Sequence, residues 1–253
     1  MARWAEYRRL LEMALRRGYR VRALEDWVLE SPQPEAPELI LRHDVDQHPR
    51  SALAMASIEL DVGVRSTWYF RWRTAHPVAV GRLRESGFGV GLHYETLSRL
   101  ALEGRNGGDS ALAAAREELR REIEAFEQRL GPIRSICPHG DSRAPGVSNA
   151  ELMRGQDAES FGVEFDGNEA MHGRGLAWWL TDRSSPEGGW KDGVDPNALL
   201  ADGLSPLLCL THPNNWASGP SLWADRVLAA VLPPQAPGRG GRPIRTGRDD
   251  PRL

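Results

Sequence analysis

The 253-residue sequence is short of several things, and each shortage closes off a class of protein. Cysteine is scarce: Cys137 and Cys209 are the two present, both in apolar runs, too few for a disulfide framework. Long apolar runs are missing, so no stretch reaches the length that spans a bilayer. The opening MARWAEYRRLLEMALRRGY sets Trp4, Tyr7, Leu11 and Leu15 on one face of a charged helix, rather than forming the unbroken apolar core of a signal peptide. A cytoplasmic protein without membrane insertion is expected. An excess of charge is also missing: the formal net charge is −3, which provides no long-range field for nucleic acid or an anionic membrane. Lysine is nearly absent, Lys191 being the single one; the preference for arginine reads as base composition rather than chemistry.

What is present is alternation. After the N-terminal helix and a YRVRALEDWVL segment, the proline-rich SPQPEAP marks a boundary, and strand-like and helix-like segments then take turns. PELILRHDVD precedes HPRSALAMASIELDVGV, where Pro49 suits a first helical turn and Gly63 a helix end. RSTWYFRW leads to PVAVGRLRESGF, and GVGLHYETL leads through a glycine-rich loop to the amphipathic DSALAAAREELRREIEAFEQRLG. IRSICPHGD is followed by a loop and SNAELM, with Ser148 and Glu151 at capping-box spacing. FGVEFDG and GLAWWLTDR read as strands, DPNALLADG as a helix, and PLLCLTHPNNW as a last strand before SLWADRVLAAVL. Repeated strand–helix units predict a parallel sheet closed or nearly closed into a barrel. Residues 1–36 are expected to form a helical extension on the barrel, residues 37–232 the barrel, and 233–253, with almost no apolar content, a disordered tail.

The strands share a way of ending. LILR runs into HDVD, GVGL into HYE, IRSIC into PHGD, LAWWL into TDR, and LLCL into THPNNW. Carboxyl ends of parallel strands lie on one face, where sites are built, so His, Asp and Glu from several strands converge on one rim. Along the first strand, alternation predicts that Leu39, Leu41, His43 and Val45 face the helices while Ile40, Arg42, Asp44 and Asp46 face the axis. Two inward carboxylates so close together repel unless a cation lies between them. A divalent metal, with one carboxylate as ligand and the other as base, resolves the conflict; a buried Arg42–Asp44 pair resolves it too.

This set of strand ends resembles the polysaccharide deacetylase family of metal-dependent carbohydrate deacetylases, in the same order, from about Ile40 to Trp216. RHDVD is similar to the family's first motif, STWYFR to its second strand and GLHYETL to its metal-histidine motif. CPHGD, TDRSSPEGGW and LTHPNNW are similar in position to the third, fourth and fifth motifs. The resemblance implies an α/β fold, a distorted (β/α) barrel of about seven parallel strands. It also implies one divalent metal ion, zinc-like, and hydrolysis of an N- or O-linked acetyl group on a sugar or polysaccharide precursor. By position, Asp44 corresponds to the general base, Asp46 and His93 to metal ligands, and His212 to the general acid. The departures are specific. Val45 separates two aspartates that are adjacent in the family, so base and ligand could exchange roles. Leu97 stands where a second metal histidine is expected, and the third motif's arginine is replaced by a loop offering His139 and Asp141.

Three protein ligands and one open position are typical of a catalytic zinc-like ion, and the third is open among His139, Glu95 and water; His139, leaving a separate strand, is favoured. Glu95 otherwise orients His93. Asp182 either nucleates a turn or holds His212 in one tautomer. Trp190 and Trp216, with Asn214 and Asn215, are candidates for sugar stacking and hydroxyl recognition, whereas Trp178 and Trp179 are expected in the core. Cys137 reads as a buried small apolar residue. One rival is a phosphate-directed hydrolase, which calls for a glycine-rich loop at a helix start or basic residues clustered at the rim; neither is evident. The other is a carbohydrate-binding barrel that has lost metal and activity.

Overall fold

The computed structural model describes residues 3–30, 35–105, 109–182 and 189–217, without the side chains of residues 109 and 110. The proline-rich boundary in part, the SLWADRVLAAVL segment and the expected disordered tail lie outside the described residues. In chain order the elements are α1 (Trp4–Arg16), β1 (Arg20–Ala23), α2 (Leu24–Leu29), β2 (Glu38–Val45), α3 (Pro49–Val62), β3 (Thr67–Phe70), α4 (Pro77–Glu85) and β4 (Gly89–Tyr94). They continue as α5 (Thr96–Leu102), α6 (Asp109–Leu130), β5 (Ser135–Pro138), β6 (Phe165–Asp166), α7 (Gly167–Gly173), β7 (Trp178–Thr181), α8 (Pro196–Ala201) and β8 (Leu207–Thr211).

Local chemistry accounts for most of these boundaries. α3 starts with Pro49, whose missing N–H costs nothing in a first turn, and stops at Gly63, which takes φ 83° as its C-cap. α6 buries Ala115, Leu119, Ile123, Phe126 and Leu130, spaced three or four apart so that they form one stripe. β2 is buried at all eight positions, as a parallel strand covered on both faces must be. Three elements differ from the sequence reading. YRVRALEDWVL contributes a strand and a short helix; ETLSRLAL is helical rather than loop; and SNAELM forms a 3-10 turn over Asn149–Leu152, with no side-chain cap from Ser148. Leu15, expected on the buried stripe of α1, is 40% exposed, since the stripe has rotated past it by the last turn.

All strand pairs are parallel, in the order β6-β5-β4-β3-β2-β8-β7. β1 is an eighth strand, pairing with residues 38–41 of β2 before β3 takes over along residues 42–45. The seven-strand path curls into an open barrel. Ile40, Tyr69, Cys137, Phe165 and Leu208, from strands that are not all neighbours, meet in one inner cluster with Leu24, Trp27 and Val28 of α2 and Met171 of α7. α2 lies across the amino ends of the strands, where the Glu25 N–H donates to Thr67 Oγ1 and Ser135 Oγ donates to the Glu25 carboxylate. α7 occupies the gap where β6 and β7 do not pair. Leu39, Leu41, Val45, Trp68 and Phe70 point the other way, into a larger cluster with α1, α3 and α6, so β2 alternates as read from its sequence. The barrel is narrow: a Cβ on Gly91 would sit 2.5 Å from the Ser135 carbonyl and 2.6 Å from the Tyr69 ring.

Candidate metal centre and active site

The carboxyl ends of β2, β4, β5 and β8 bring Asp46, His93, His139 and His212 together. Asp46 follows β2 directly, and its Oδ1 lies 3.5 Å from His93 Nε2 and 3.5 Å from His139 Nε2. The candidate ligand atoms of Asp46, His93 and His139 all fall within 4.8 Å of one another. Asp46 Oδ1 is buried and has no hydrogen-bond partner, and His139 Nδ1 is in the same condition. A buried carboxylate oxygen without a donor is costly. Donor atoms bound at roughly 2.0–2.2 Å around a tetrahedral ion stand about 3.4 Å apart, so these separations suit ligation better than direct hydrogen bonding. The residues present therefore fit a divalent metal of the zinc class.

The rings are prepared for that role. His93 Nδ1 is 3.0 Å from the Cys137 carbonyl; a carbonyl only accepts, so the proton sits on Nδ1 and Nε2 keeps its lone pair. Burial lowers the His93 pKa despite Asp44 and Asp46 nearby, which keeps the imidazole neutral, as a ligand must be. The His139 N–H donates to the Tyr94 carbonyl at 2.8 Å, and Asn149 Nδ2 donates to the His139 carbonyl at 2.7 Å, fixing the loop after β5. The two rings meet edge to face at 5.1 Å. Burial opposes ionisation of Asp46, but His139, His93 and His212 together hold its carboxyl well below the usual range.

Asp44 takes a different partner. Arg42 Nε and Nη2 donate to its two oxygens at 2.9 and 2.7 Å, with both side chains buried. Burial alone would raise the Asp44 pKa, and the Arg42 and His93 charges reverse that. Arg42 is itself held over the Tyr69 ring, 5.2 Å from its centroid, and against Met171 Sδ at 3.6 Å. The two solutions open in the sequence coexist: an arginine neutralises Asp44, and Asp46 joins the histidines. Arg42, on the strand itself, supplies a guanidinium beside the aspartate although the loop after β5 offers His139 instead.

On the opposite wall His212 follows β8. Its Nδ1 is 2.7 Å from Asp182 Oδ1, its backbone N–H donates to Asp182 Oδ2 at 2.9 Å, and its Nε2 is 3.9 Å from Asp46 Oδ2. Burial would lower the His212 pKa; Asp182, with help from Asp44 and Asp46, raises it to about 9. Trp216 Nε1 also donates to Asp182 Oδ2, at 2.8 Å.

Several sequence expectations are corrected. Trp216 is fully buried and Trp190 is 7% exposed, their rings packed at 5.5 Å, so neither offers a face to a sugar; Trp216 instead braces Asp182. Trp178, expected in the core, is 44% exposed. Glu95 does not orient His93: its carboxylate is taken by Arg71 Nε, and the Cys137 carbonyl does that work. Leu97 lies on α5 in the outer core, facing away from the site. Asn214 and Asn215 form a 3-10 turn after His212, hydrogen-bonded to each other at 2.8 Å, with Asn214 Oδ1 buried and unpartnered. The reading missed Arg71 and Arg73, and it placed α1 on the barrel without the contact to Trp216. The WYFRWR stretch reads as one continuous strand, and no local signal shows that α1 would cover Trp216.

No family model matches the chain, and no curated protein matches it. Among solved structures it is similar to a CE4 family pseudoenzyme from Bacillus anthracis, at 13% identity and TM-score 0.43, over 79% of this chain and 62% of that one. A family 4 carbohydrate esterase from Bacillus anthracis gives 13% identity and TM-score 0.40 over 87% and 83%. The Xyl-CE4 domain of a multidomain xylanase from the hindgut metagenome of Trinervitermes trinervoides gives 14% and 0.41 over 77% and 81%. The chain spans less than two thirds of the length of the pseudoenzyme. At such identities and TM-scores, the chemistry has to be argued from the geometry of the site.

Proposed function

We propose that the protein is a metal-dependent hydrolase that removes an acetyl group, N- or O-linked, from a sugar or polysaccharide precursor. The observation that carries this reading is the juxtaposition of three donors, Asp46, His93 and His139, with a carboxylate and an imidazole on either side. A bound divalent ion supplies a Lewis acid for the carbonyl and lowers the pKa of its water to roughly 7. Asp44, kept ionised by Arg42, orients the attacking water and takes its proton. His212, whose Nδ1 is committed to Asp182, presents Nε2 to the cleft and gives a proton to the departing nitrogen or oxygen. Because Asp44 has both oxygens bound by Arg42 while Asp46 Oδ1 has no donor, the base role falls to Asp44 and the ligand role to Asp46.

The alternative of an inactive carbohydrate-binding barrel draws on Leu97; His139 as a third donor supports the catalytic reading instead. The test is acetate release from acetylated mono- and oligosaccharides by metal-loaded protein, with Asp44→Asn alongside. The variant should retain metal and slow turnover by about 100-fold or more. Metal-loaded wild type that releases no acetate from any of them would leave the binding reading in place.

A further inference from the structure

The segment that leaves β3, Arg71-Trp72-Arg73, carries more hydrogen-bond donors than the surrounding structure accepts. Arg71 is 3% exposed and gives its Nε to Glu95, yet its Nη2 is buried without an acceptor. Trp72, between the two arginines, turns the other way and packs its ring against Phe126 of α6 in the outer core. Arg73 is exposed, and its Nη2 donates to the Asp46 backbone carbonyl at 3.3 Å. That bond seats a guanidinium on the residue that offers the metal its carboxylate.

The carboxylates nearby are already engaged. Glu95 pairs with Arg71 and lies 3.7 Å from Arg143, while Asp141 accepts from Arg143 Nε and Nη2 at 2.8 and 2.5 Å. Asp44 belongs to Arg42 and Asp46 to the ligand set. The charges that act most on Arg73 are the guanidiniums of Arg71 and Arg143 and the carboxylates of Glu95 and Asp46; with Asp46 in the ligand set, the three guanidiniums of this wall face Glu95 and Asp141 among the described residues, which leaves one positive charge in excess. A recess of about 110 Å³ beside the segment is lined by Trp72, Arg73, Arg99, Glu95 and Glu122 and touches His93 alone of the candidate ligands. A buried Arg71 N–H without an acceptor and an exposed guanidinium beside a cationic centre together specify an anion.

We propose that Arg71 and Arg73 form an anion subsite beside the metal centre, so that the sugar bound in the cleft carries a carboxylate or a phosphate group. Arg73 contacts the anion, and Arg71 fixes Glu95 so that this carboxylate does not reach Arg73. That the anionic sugar is the substrate rests on the hydrolase reading; that it binds does not.

The experiment is titration calorimetry on metal-loaded, full-length wild type, Arg73→Gln and Arg73→Lys. The ligands are N-acetylglucosamine, N-acetylglucosamine 1-phosphate and N-acetylmuramic acid, with metal content and acetate measured on the same samples. The wild type should bind at least one anionic sugar about tenfold or more tighter than the neutral one, the scale of a charge-assisted contact. Added salt should erode that advantage, Arg73→Gln should abolish it with metal content unchanged, and Arg73→Lys should keep part of it. The phosphate and carboxylate arms show which anion the subsite takes. Three results overturn the proposal: equal affinity for neutral and anionic sugars, no binding of either anionic sugar at about 10 mM, or an anionic preference that survives Arg73→Gln, which would assign the anion to the metal. Tight anionic binding without acetate release from these or any of the acetylated oligosaccharides would instead remove the hydrolase reading and leave the subsite standing.

Discussion

Asp44 and Asp46 are two residues apart on one strand end and have opposite surroundings. Asp44 is buried under a bidentate arginine, whereas Asp46 has an oxygen that no protein donor reaches. Removing either carboxylate should therefore fail in a different way. On the proposed reading, Asp46→Ala leaves two imidazoles to hold the ion, one ligand short of the usual three; bound metal, measured by mass spectrometry after gel filtration, should then fall from about one per chain to below ~0.1. Full metal content in that variant would exclude Asp46 as a ligand. Much of this contrast was legible in the sequence, since the period of two along ELILRHDV already put Arg42, Asp44 and Asp46 on the axis side. The convergence of His93, His139 and His212 was legible too, from the shared habit of the strand ends. The partner each carboxylate would choose was not, because it depends on the distances across the barrel.

Among the elements, α1 reaches further than a surface extension. The Arg3 N–H donates to the Trp216 carbonyl at 2.9 Å, the Arg3 guanidinium lies 4.4 Å over the Trp216 ring, and Tyr7 meets that ring edge to face at 5.5 Å. Trp216 in turn donates to Asp182, which holds both Nδ1 and the backbone N–H of His212. Trp216→Phe keeps the packing and deletes one donor to Asp182. We expect kcat to fall about tenfold, the scale of one hydrogen bond to a charged group, with KM and metal content unchanged. A rise in KM alone would return Trp216 to substrate binding. The helix itself was legible in the sequence; its docking on Trp216, and the strand β1 that follows it, were not, for two physical reasons. β1 is four residues long and shares β2 with β3, so it has no period of its own, and the burial of Trp216 depends on a helix more than two hundred positions away in the chain. α5 was hidden similarly, its seven residues joining a strand end to a glycine-rich loop.

At the scale of the whole molecule, the closure of the barrel bears on how stability depends on pH. Asp166 ends β6 and caps α7, accepting from the Asn168 and Glu169 N–H groups at 2.8 and 3.1 Å and from Tyr94 at 3.1 Å. Burial pushes its carboxyl up to about 6 in spite of those donors. Its pKa in the unfolded chain is about 3.9, so the folded state binds the proton more tightly. The stability contributed is complete below about pH 4 and is lost as pH rises through about 6. Asp166→Asn, which keeps an acceptor for the cap and cannot ionise, should lack this fall. Its melting temperature relative to wild type should rise between pH 4 and pH 7, by an amount corresponding to at most about 3 kcal/mol. A constant difference across that range would show that Asp166 does not ionise differently in the two states.

β2 is paired along one edge by β1 and β3 in succession and along the other by β8, while β7 joins the sheet through β8 and the remaining gap is filled by α7. Warming such a sheet loosens it from the rim inward, because the strand with the fewest ladder bonds opens at the lowest free energy. β6 is the most weakly paired strand, with two residues in register against β5, and His139 follows the end of β5; β2 and β8, whose ends carry Asp46 and His212, are paired more fully. On the proposed reading, heat should therefore loosen the third ligand before it disturbs the proton donor or melts the helices. Between those two events would lie a temperature window in which the protein is folded but holds its ion by two ligands, and from which cooling would restore it.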